Sequence, residues 1–357
     1  MIAAKPAAGI SVFFDGQGLN RRGDCEYPTP FQSIRAIFDL FQGPLSFCRS
    51  LPPFSSIFRY FIMLSQSRQA QTGHSDTDTD TGTIDDFDMS GRPASALGTA
   101  VVDIAKGTVA WSLWTMLGWQ DIRQRYRRSV LGPFWLTISM GILVVMLGVL
   151  YASLFKMSIT VYLPFVALGF IMWGLISGLV TDGCDVFHGS ADIIKQMALP
   201  LSLHVYRVIW RNIIIFFHNI TIFVIVALFF SIPPTSTTLL VLPGLALICI
   251  NGLWLGLVLG LICARYRDVP QIVGSVMQVA FFLTPIFWKP ELLPDRKLLW
   301  LLEYNPFFHF LELVRQPLLG HAPDPTSWQV VIGITIGGLV FALLLYRRYR
   351  SRIAYWI

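Results

Sequence analysis

The chain has 357 residues, of which 54% are hydrophobic and 13% are charged, and its mean hydropathy is +0.59. A soluble domain carries about 25% charged residues, so this composition excludes an ordinary soluble domain. The formal net charge of +6 is therefore interpreted first as a signal of membrane topology and only second as a sign of an acidic partner.

Residues 1–88 differ in composition from the rest of the chain. They contain Pro-rich patches, a moderately apolar stretch over 31–64 and the tract "HSDTDTDTGTIDDFD". This tract is acidic, low in complexity and poor in large apolar groups, so we predict a disordered extension. Three prolines interrupt the stretch 31–64, which favours an amphipathic surface helix over a spanning one. The same change of composition also fits translation that begins at Met89.

The segment 89–133 is predicted to be a cytoplasmic amphipathic interfacial segment. Its helix, Ala96–Gly118, is apolar but is interrupted by Asp103 and Lys106. Tryptophans lie at or just past the end of this helix, and Trp favours the membrane interface. We therefore expect the helix to lie along the membrane rather than to cross it.

Six apolar runs follow, and several of them reach the roughly 20 residues that a helix needs to cross a bilayer. The predicted spans are 134–155, 162–180, 212–230, 239–264, 271–288 and 330–346. The predicted fold class is therefore all-α integral membrane, with six transmembrane helices in one domain over 134–357.

Basic residues divide the loops into two sets. One set holds most of the arginines, whereas the other holds few basic residues, most of them mixed with acidic ones. Positive residues stay on the cytoplasmic side, so both ends of the core are predicted to be cytoplasmic. The basic set comprises Arg123, Arg125, Arg127, Arg128, Lys195, Arg207, Arg211, Arg265, Arg267, Arg347, Arg348, Arg350 and Arg352.

The cytoplasmic connection between the second and third spans contains a short predicted helix, which Pro200 ends. An apolar face of this kind suits docking in a groove of a soluble partner. An ordinary amphipathic surface helix is the alternative interpretation. The residues of the predicted docking helix are Asp192, Ile193, Ile194, Met197 and Leu199.

The connection after the fifth span, Lys289–Trp328, is too apolar for a solvent-exposed loop. Pro306 and Pro317 interrupt it and it carries charges, so we do not expect it to cross the membrane. Short re-entrant or interfacial helices on the external side fit this pattern, because irregular backbone at membrane depth must be buried in protein or line a cavity.

The sequence offers little catalytic chemistry. The chain has no Gly-Lys dipeptide, which rules out a P-loop of the G-x-x-x-x-G-K-[ST] type, and we predict that the chain is not an enzyme and holds no cofactor. The stretch "TDGCDVFHGSAD" at 181–192 has acidic and His residues at ligand-like spacing, but a hydrated polar loop is favoured there over a metal site. The five cysteines are scattered, which argues against a disulfide framework.

Six motifs occur in order along the chain: "RYRRSVLGPFW" at 125–135, "ARYRDVPQIV" at 264–273, "TPIFW" at 284–288, "NPFF" at 305–308, "RQPLLG" at 315–320 and the terminal "RIAYWI". Together they resemble the permease subunit of the type-2 ABC exporters that move O-antigen, capsular polysaccharide and teichoic acid. The resemblance extends from about Trp119 to Ile357 and does not include residues 1–88.

The resemblance implies a homodimer in the bacterial inner membrane, with a separate ATPase subunit on the cytoplasmic side that binds ATP and Mg. The interfacial segment and the docking helix would contact that ATPase. Residues 290–320 would form two short gate helices on the external side. The cargo would be a polysaccharide carried on undecaprenyl pyrophosphate, and no nucleic acid is involved. The gate residues would be Asn305, Pro306, Arg315 and Pro317.

A lipid-linked cargo gives the arginines before the first span a second predicted role beside topology. Forked guanidinium groups match phosphate oxygens, so this cluster is predicted to receive the lipid pyrophosphate at the cytoplasmic entrance. The cluster consists of Arg123, Arg125, Arg127 and Arg128.

A sugar polymer also suggests a role for aromatic rings, whose faces stack on sugar C–H surfaces. Packing and interface anchoring are the competing explanation, because Phe is abundant in spanning helices and Tyr and Trp belong at the interface. The candidates for lining a glycan channel are Tyr162, Phe165, Phe170, Trp173, Phe281, Phe282, Phe287 and Trp288.

Two alternatives to polysaccharide export remain. A related type-2 ABC permease for a drug or a free lipid would share the six-span plan. A membrane-embedded glycan transferase acting on a polyprenyl lipid would instead need acidic catalytic residues near the membrane surface, for which Asp182, Asp185 and Asp192 are best placed.

Overall fold

The computed structural model describes residues 96–127, 129, 132, 134–290 and 300–357. All of them fall in one compact unit, Gly82–Ile357. Within this part of the chain the regular elements are all helices, so the all-α prediction is confirmed there. The predictions for residues 1–88 and for Arg128 lie outside the described residues.

Three 3₁₀ turns lie between the described α-helices: His188–Ser190, Ser236–Leu240 and Arg350–Arg352. In chain order the helices are α1 (Ala96–Val109), α2 (Trp111–Arg125), α3 (Phe134–Leu154), α4 (Ile159–Cys184), α5 (Ala191–Gln196), α6 (Ser202–Phe229), α7 (Val241–Arg265), α8 (Val269–Leu283), α9 (Trp300–Glu303), α10 (Pro306–Leu318), α11 (Pro325–Tyr349) and α12 (Ile353–Trp356).

Five described helices are long and apolar enough to cross a membrane: α3, α4, α6, α7 and α11. The predicted fifth span corresponds to α8, which has 15 residues and ends at Leu283 rather than Trp288. At 1.5 Å per residue this helix is about 22 Å long, shorter than the hydrocarbon core of about 30 Å. The count of six spans therefore stays a prediction.

Helix α4 lies at the centre of the bundle and contacts α3, α6, α7, α8 and α10. In its most apolar 18-residue window 78% of the residues are buried, against 11% for α3. Glycines allow the close approach: a Cβ on Gly183 would lie 3.3 Å from the Cα of Gly256, and one on Gly169 would collide with the carbonyl oxygen of Ile286. Backbone thus meets backbone near the middle of α4, at Gly169, and at its C-terminal end, at Gly183.

Two helix boundaries differ from the prediction. The predicted interfacial helix is two helices, α1 and α2, which meet at Ala110. Helix α6 begins at Ser202, ten residues before the predicted start of the third span at Asn212. Its first turn has a partner that the local sequence does not supply, because the carboxylate of Asp103 accepts hydrogen bonds from the backbone N–H groups of Leu201 and Ser202 at 3.2 and 3.1 Å.

Side-chain contacts define the two ends of the bundle. At one end α4, α7 and α11 finish and α6 begins, and there the His188 Nε2 lies 3.3 Å from the Cys263 carbonyl oxygen. We call this the basic end, because the arginines of the basic set that are described lie in its helix ends and turns. At the opposite end the Tyr162 hydroxyl donates to the Phe287 carbonyl oxygen.

Candidate functional site

A buried carboxylate joins three segments at the basic end. Asp103 of α1 is 3% exposed and, besides holding the first turn of α6, accepts a hydrogen bond of 2.6 Å from the Tyr346 hydroxyl of α11. The Arg350 guanidinium lies 3.2 Å from the same carboxylate. The Ser202 hydroxyl in turn donates to the Asp103 carbonyl oxygen at 2.8 Å. Asp103 therefore fixes α1 to α6 and α11.

A second polar network attaches α2 to α6 and α4. The Arg207 Nε donates to Asp121 at 2.7 Å, and a second guanidinium nitrogen pairs with the same carboxylate. Arg211 lies between two carboxylates, 3.3 Å from Asp121 and 2.8 Å from Asp182. The Asn212 amide also donates to Asp182, at 2.9 Å. Both arginines are thus neutralised within the fold.

The arginines in the last turn of α2 and just after it are not paired in this way. Arg123, Arg125 and Arg127 are exposed, and none of them forms an ion pair among the described residues. Arg125 lies beside Tyr126, where desolvation raises the pKa of the phenol and the neighbouring guanidinium partly offsets that rise. Three of the four predicted phosphate-binding arginines are therefore exposed and have no carboxylate partner among the described residues.

The predicted docking helix is shorter than expected. Helix α5 ends at Gln196, and Met197 has extended backbone, with φ −134° and ψ 128°. Met197 and Leu199 therefore do not continue the helical face of Ile193 and Ile194. The Met197 N–H makes the last α-helical hydrogen bond, to the Ile193 carbonyl at 2.9 Å, and Pro200 disfavours helical backbone at the residue before it.

Exposure divides the docking residues into two groups. Ile193 and Ile194 are half-buried, and Ile194 packs against the hydrophobic core. Asp192 and Met197 are exposed, and 42% of Met197 is accessible. A partner at this surface would therefore meet Met197 and the charged side of α5, whereas Ile194 faces the chain's own interior.

The aromatic residues predicted from α4 and from the fifth span meet in one cluster. Phe281 of α8 contacts Phe170 and Trp173 of α4 with ring centroids 5.8 Å apart, and Phe287 contacts Phe281 at 5.6 Å. Tyr162 is fully buried, whereas Phe282 is 60% exposed. Within one chain, therefore, most of these rings pack on one another, and Phe282 is the member that presents its face outward.

A buried ion pair organises the opposite end. Arg315 of α10 is 1% exposed and pairs with Glu312, one turn earlier. It also donates to the Pro285 carbonyl oxygen at 2.6 Å, and its guanidinium lies 4.1 Å from the ring centre of Phe165. The predicted gate arginine thus holds the turn after α8 against α10 and α4.

The other predicted gate residues shape the ends of α10. Asn305 caps the helix by accepting from the Phe307 N–H at 3.0 Å, and its amide donates to Thr284 at 3.0 Å. Pro306 is the first residue of α10 and Pro317 the last but one. The two prolines therefore bound one 13-residue helix rather than interrupt it, since Pro is well tolerated in the first turn.

The acidic residues considered for a transferase do not form a catalytic group. Asp182 is paired with Arg211 and Asn212, while Asp192 is exposed on α5. Over the described ranges, His, Cys, Asp and Glu side chains do not gather in threes around a possible metal position. Asp182 is therefore a structural carboxylate, paired within the fold.

Comparison with known proteins shows a family match and several relatives. Residues 112–319 match the family model described as ABC-2 type transporter. Two proteins of Klebsiella pneumoniae named O-antigen export system permease protein RfbA are 23% and 24% identical to the chain over 238 residues, which cover 64% of this chain and 90% of each relative. A protein of the same name from Myxococcus xanthus is 22% identical over 177 residues, 49% of this chain and 68% of that relative.

Proposed function

The chain belongs to the ABC-2 type transporter family, and from that membership we propose that it is the permease subunit of an exporter for a lipid-linked polysaccharide. The family agrees with the resemblance carried by the six motifs, and it makes the chain the transmembrane component of a transporter rather than an enzyme. The polysaccharide cargo is supported by the relatives named O-antigen export permease, which the chain matches over 90% of their length.

The single observation that carries this proposal is the contrast between free and paired arginines at the basic end. Arg207 and Arg211 are held by Asp121 and Asp182, so their charges serve the fold. Arg123 and Arg127 lie exposed two and six residues after Asp121, available to an outside anion. A lipid pyrophosphate is an anion that such forked guanidinium groups bind through paired hydrogen bonds.

The remaining parts of the proposal depend on which end of the bundle faces the cytoplasm. The basic end faces the cytoplasm of the bacterial inner membrane, by the positive-inside rule. A separate ATPase binds ATP and Mg and docks at α5 and α2, and residues 290–320 form the external gate. A drug or free-lipid permease remains the second candidate, and it would share every one of these features except the need for a polymer-wide path.

A second copy of the chain completes the proposed transporter. Helix α3 is the least buried of the candidate spans, and the short helix α8 exposes Ile272, Val276 and Val279. A second copy that packs on these two helices would cover their exposed apolar side chains. A homodimer that meets along α3 and α8 supplies that cover and places Phe282 beside the path between the two copies.

The free arginines are tested by a change that keeps their charge. The double variant Arg123→Lys/Arg127→Lys retains the positive-inside signal but loses the guanidinium fork. We expect normal insertion, with export and lipid-stimulated ATP hydrolysis lowered about fivefold, the effect of losing roughly 1 kcal/mol of paired hydrogen bonding. The matched control is Arg267→Lys/Arg347→Lys, which changes two exposed arginines of the same end. Equal export in both double variants would leave topology as the sole role of the cluster.

Docking of the ATPase is tested at Met197 alone. The Met197→Asp variant replaces an exposed apolar side chain by a charged one, so the chain on its own should still fold. In the complex with the ATPase the new charge would be buried without a partner, which is costly. We expect the ATPase to be lost on co-purification while the permease inserts normally. Tyr304→Asp, at a more exposed site of the opposite end, is the control. Retention of the ATPase by Met197→Asp at the control's level would place the docking surface elsewhere.

A further inference from the structure

A cavity lies at the basic end between the last turn of α7 and the C-terminal segment. Its volume is about 600 Å³, and it is lined on one side by Leu261, Ile262 and Leu345 and on the other by polar and aromatic residues. The apolar side belongs to α7 and α11, two helices with spanning length. The cavity therefore joins an apolar wall on two helices of spanning length to the basic end of the bundle.

Two arginines form the polar side of this cavity. The Arg265 guanidinium lies 5.6 Å from the ring centre of Trp356, and the Arg352 guanidinium lies 5.9 Å from that of Tyr349. Aromatic faces hold a guanidinium by cation–π attraction without occupying its N–H donors. Both cations are thus positioned while their hydrogen-bonding edges stay available.

The charge of the cavity is uncompensated. No Asp or Glu is among its lining residues, and neither Arg265 nor Arg352 forms an ion pair within the described ranges. The nearby Arg350 differs, because it pairs with Asp103. Two free guanidinium groups beside an apolar wall match a ligand with an anionic head and an apolar tail.

We propose that this cavity binds the headgroup of an anionic phospholipid of the surrounding bilayer. The phosphate lies between Arg265 and Arg352, and the start of the acyl chains runs along Leu261 and Leu345. Tyr and Trp rings on the cavity wall suit the interfacial depth at which a headgroup lies. The apolar wall on two spanning helices favours a lipid over free phosphate, which gains nothing from it. This site is separate from the Arg123–Arg127 cluster, and its binding needs neither the ATPase nor export.

The test counts lipids that stay with the full chain. The protein is reconstituted in nanodiscs with equal amounts of phosphatidylglycerol and phosphatidylcholine, and the lipid retained after transfer to detergent is measured by native mass spectrometry. Wild type should retain phosphatidylglycerol selectively. Arg265→Gln/Arg352→Gln should weaken that retention about thirtyfold, at about 1 kcal/mol for each basic residue. The matched control, Arg267→Gln/Arg347→Gln, removes the same charge outside the cavity and should retain the lipid as wild type does.

A second variant keeps the test decisive if the double variant does not fold. Ser351→Asp leaves both arginines in place and adds a carboxylate to the cavity lining, so it should also release phosphatidylglycerol. Selective retention by either folded cavity variant at the wild-type level would overturn the proposal. Equal retention of the two lipids by wild type would do the same. Displacement of phosphatidylglycerol by millimolar inorganic phosphate would show a free-phosphate site instead, and would equally contradict a lipid site.

Discussion

Replacing Asp103 by Ala is expected to unfold or strongly destabilise the protein. The carboxylate is 3% exposed, and its removal leaves the Tyr346 hydroxyl, the Arg350 guanidinium and the first N–H groups of α6 without their partner. Removing one member of a buried charge network costs about 3–5 kcal/mol. Thermal unfolding of the purified protein in detergent measures this loss, together with the yield of folded protein from membranes.

The control for Asp103 is an exposed carboxylate at the same end. Asp192→Ala removes a charge from the surface of α5, so its stability should stay within about 0.5 kcal/mol of wild type. If Asp103→Ala melts at the temperature of Asp192→Ala, Asp103 does not hold the three segments together. The helix α6 would then need another explanation for its start at Ser202.

The second large effect is expected at the buried ion pair of the opposite end. Arg315→Met leaves the Glu312 carboxylate buried without its partner and removes the donor to the Pro285 carbonyl oxygen. The expected loss is about 3–5 kcal/mol, because an uncompensated buried charge is strongly unfavourable. The same unfolding measurement reports it.

The double variant Glu312→Leu/Arg315→Met separates charge from packing. Exchanging a whole buried pair for apolar residues of similar volume is often neutral or stabilising, so the double variant should recover most of the stability lost by Arg315→Met. A double variant that is as unstable as the single one would show that the pair is not what stabilises this region. If the double variant folds but does not export, Arg315 serves the gate as well as the fold.

Much of the fold was predictable because apolar runs of spanning length are a strong local signal. The predicted spans overlap α3, α4, α6, α7 and α11, and the predicted fifth span overlaps the short helix α8. The sequence does not predict the start of α6, because Pro200 indicates only the end of the preceding helix. The partner that caps α6 is Asp103, 98 residues from Leu201, and a contact of that separation leaves no periodic signal in the sequence.

The sequence predicts a cluster of arginines at the candidate site, but it does not predict which arginines are paired with carboxylates. Clustered arginines before an apolar run are visible in the sequence, yet Arg207 and Arg123 look alike there. Only the fold brings Asp121 to Arg207, 86 residues away, and so distinguishes a structural arginine from a free one. The Glu312–Arg315 pair had a usable signal, since residues three apart on a helix lie on one face. The apolar surroundings that bury this pair come from α4 and the turn after α8.

The central claim is that the chain exports a lipid-linked polysaccharide which other proteins make. The most direct test deletes the gene and labels polysaccharide at the cell surface and in the cytoplasm separately, with the wild-type gene restored as the control. The account predicts that surface polysaccharide disappears while polymer accumulates inside the cell. Unchanged surface polysaccharide would contradict the proposed cargo, and absence of polymer from both compartments would contradict export in favour of a role in synthesis.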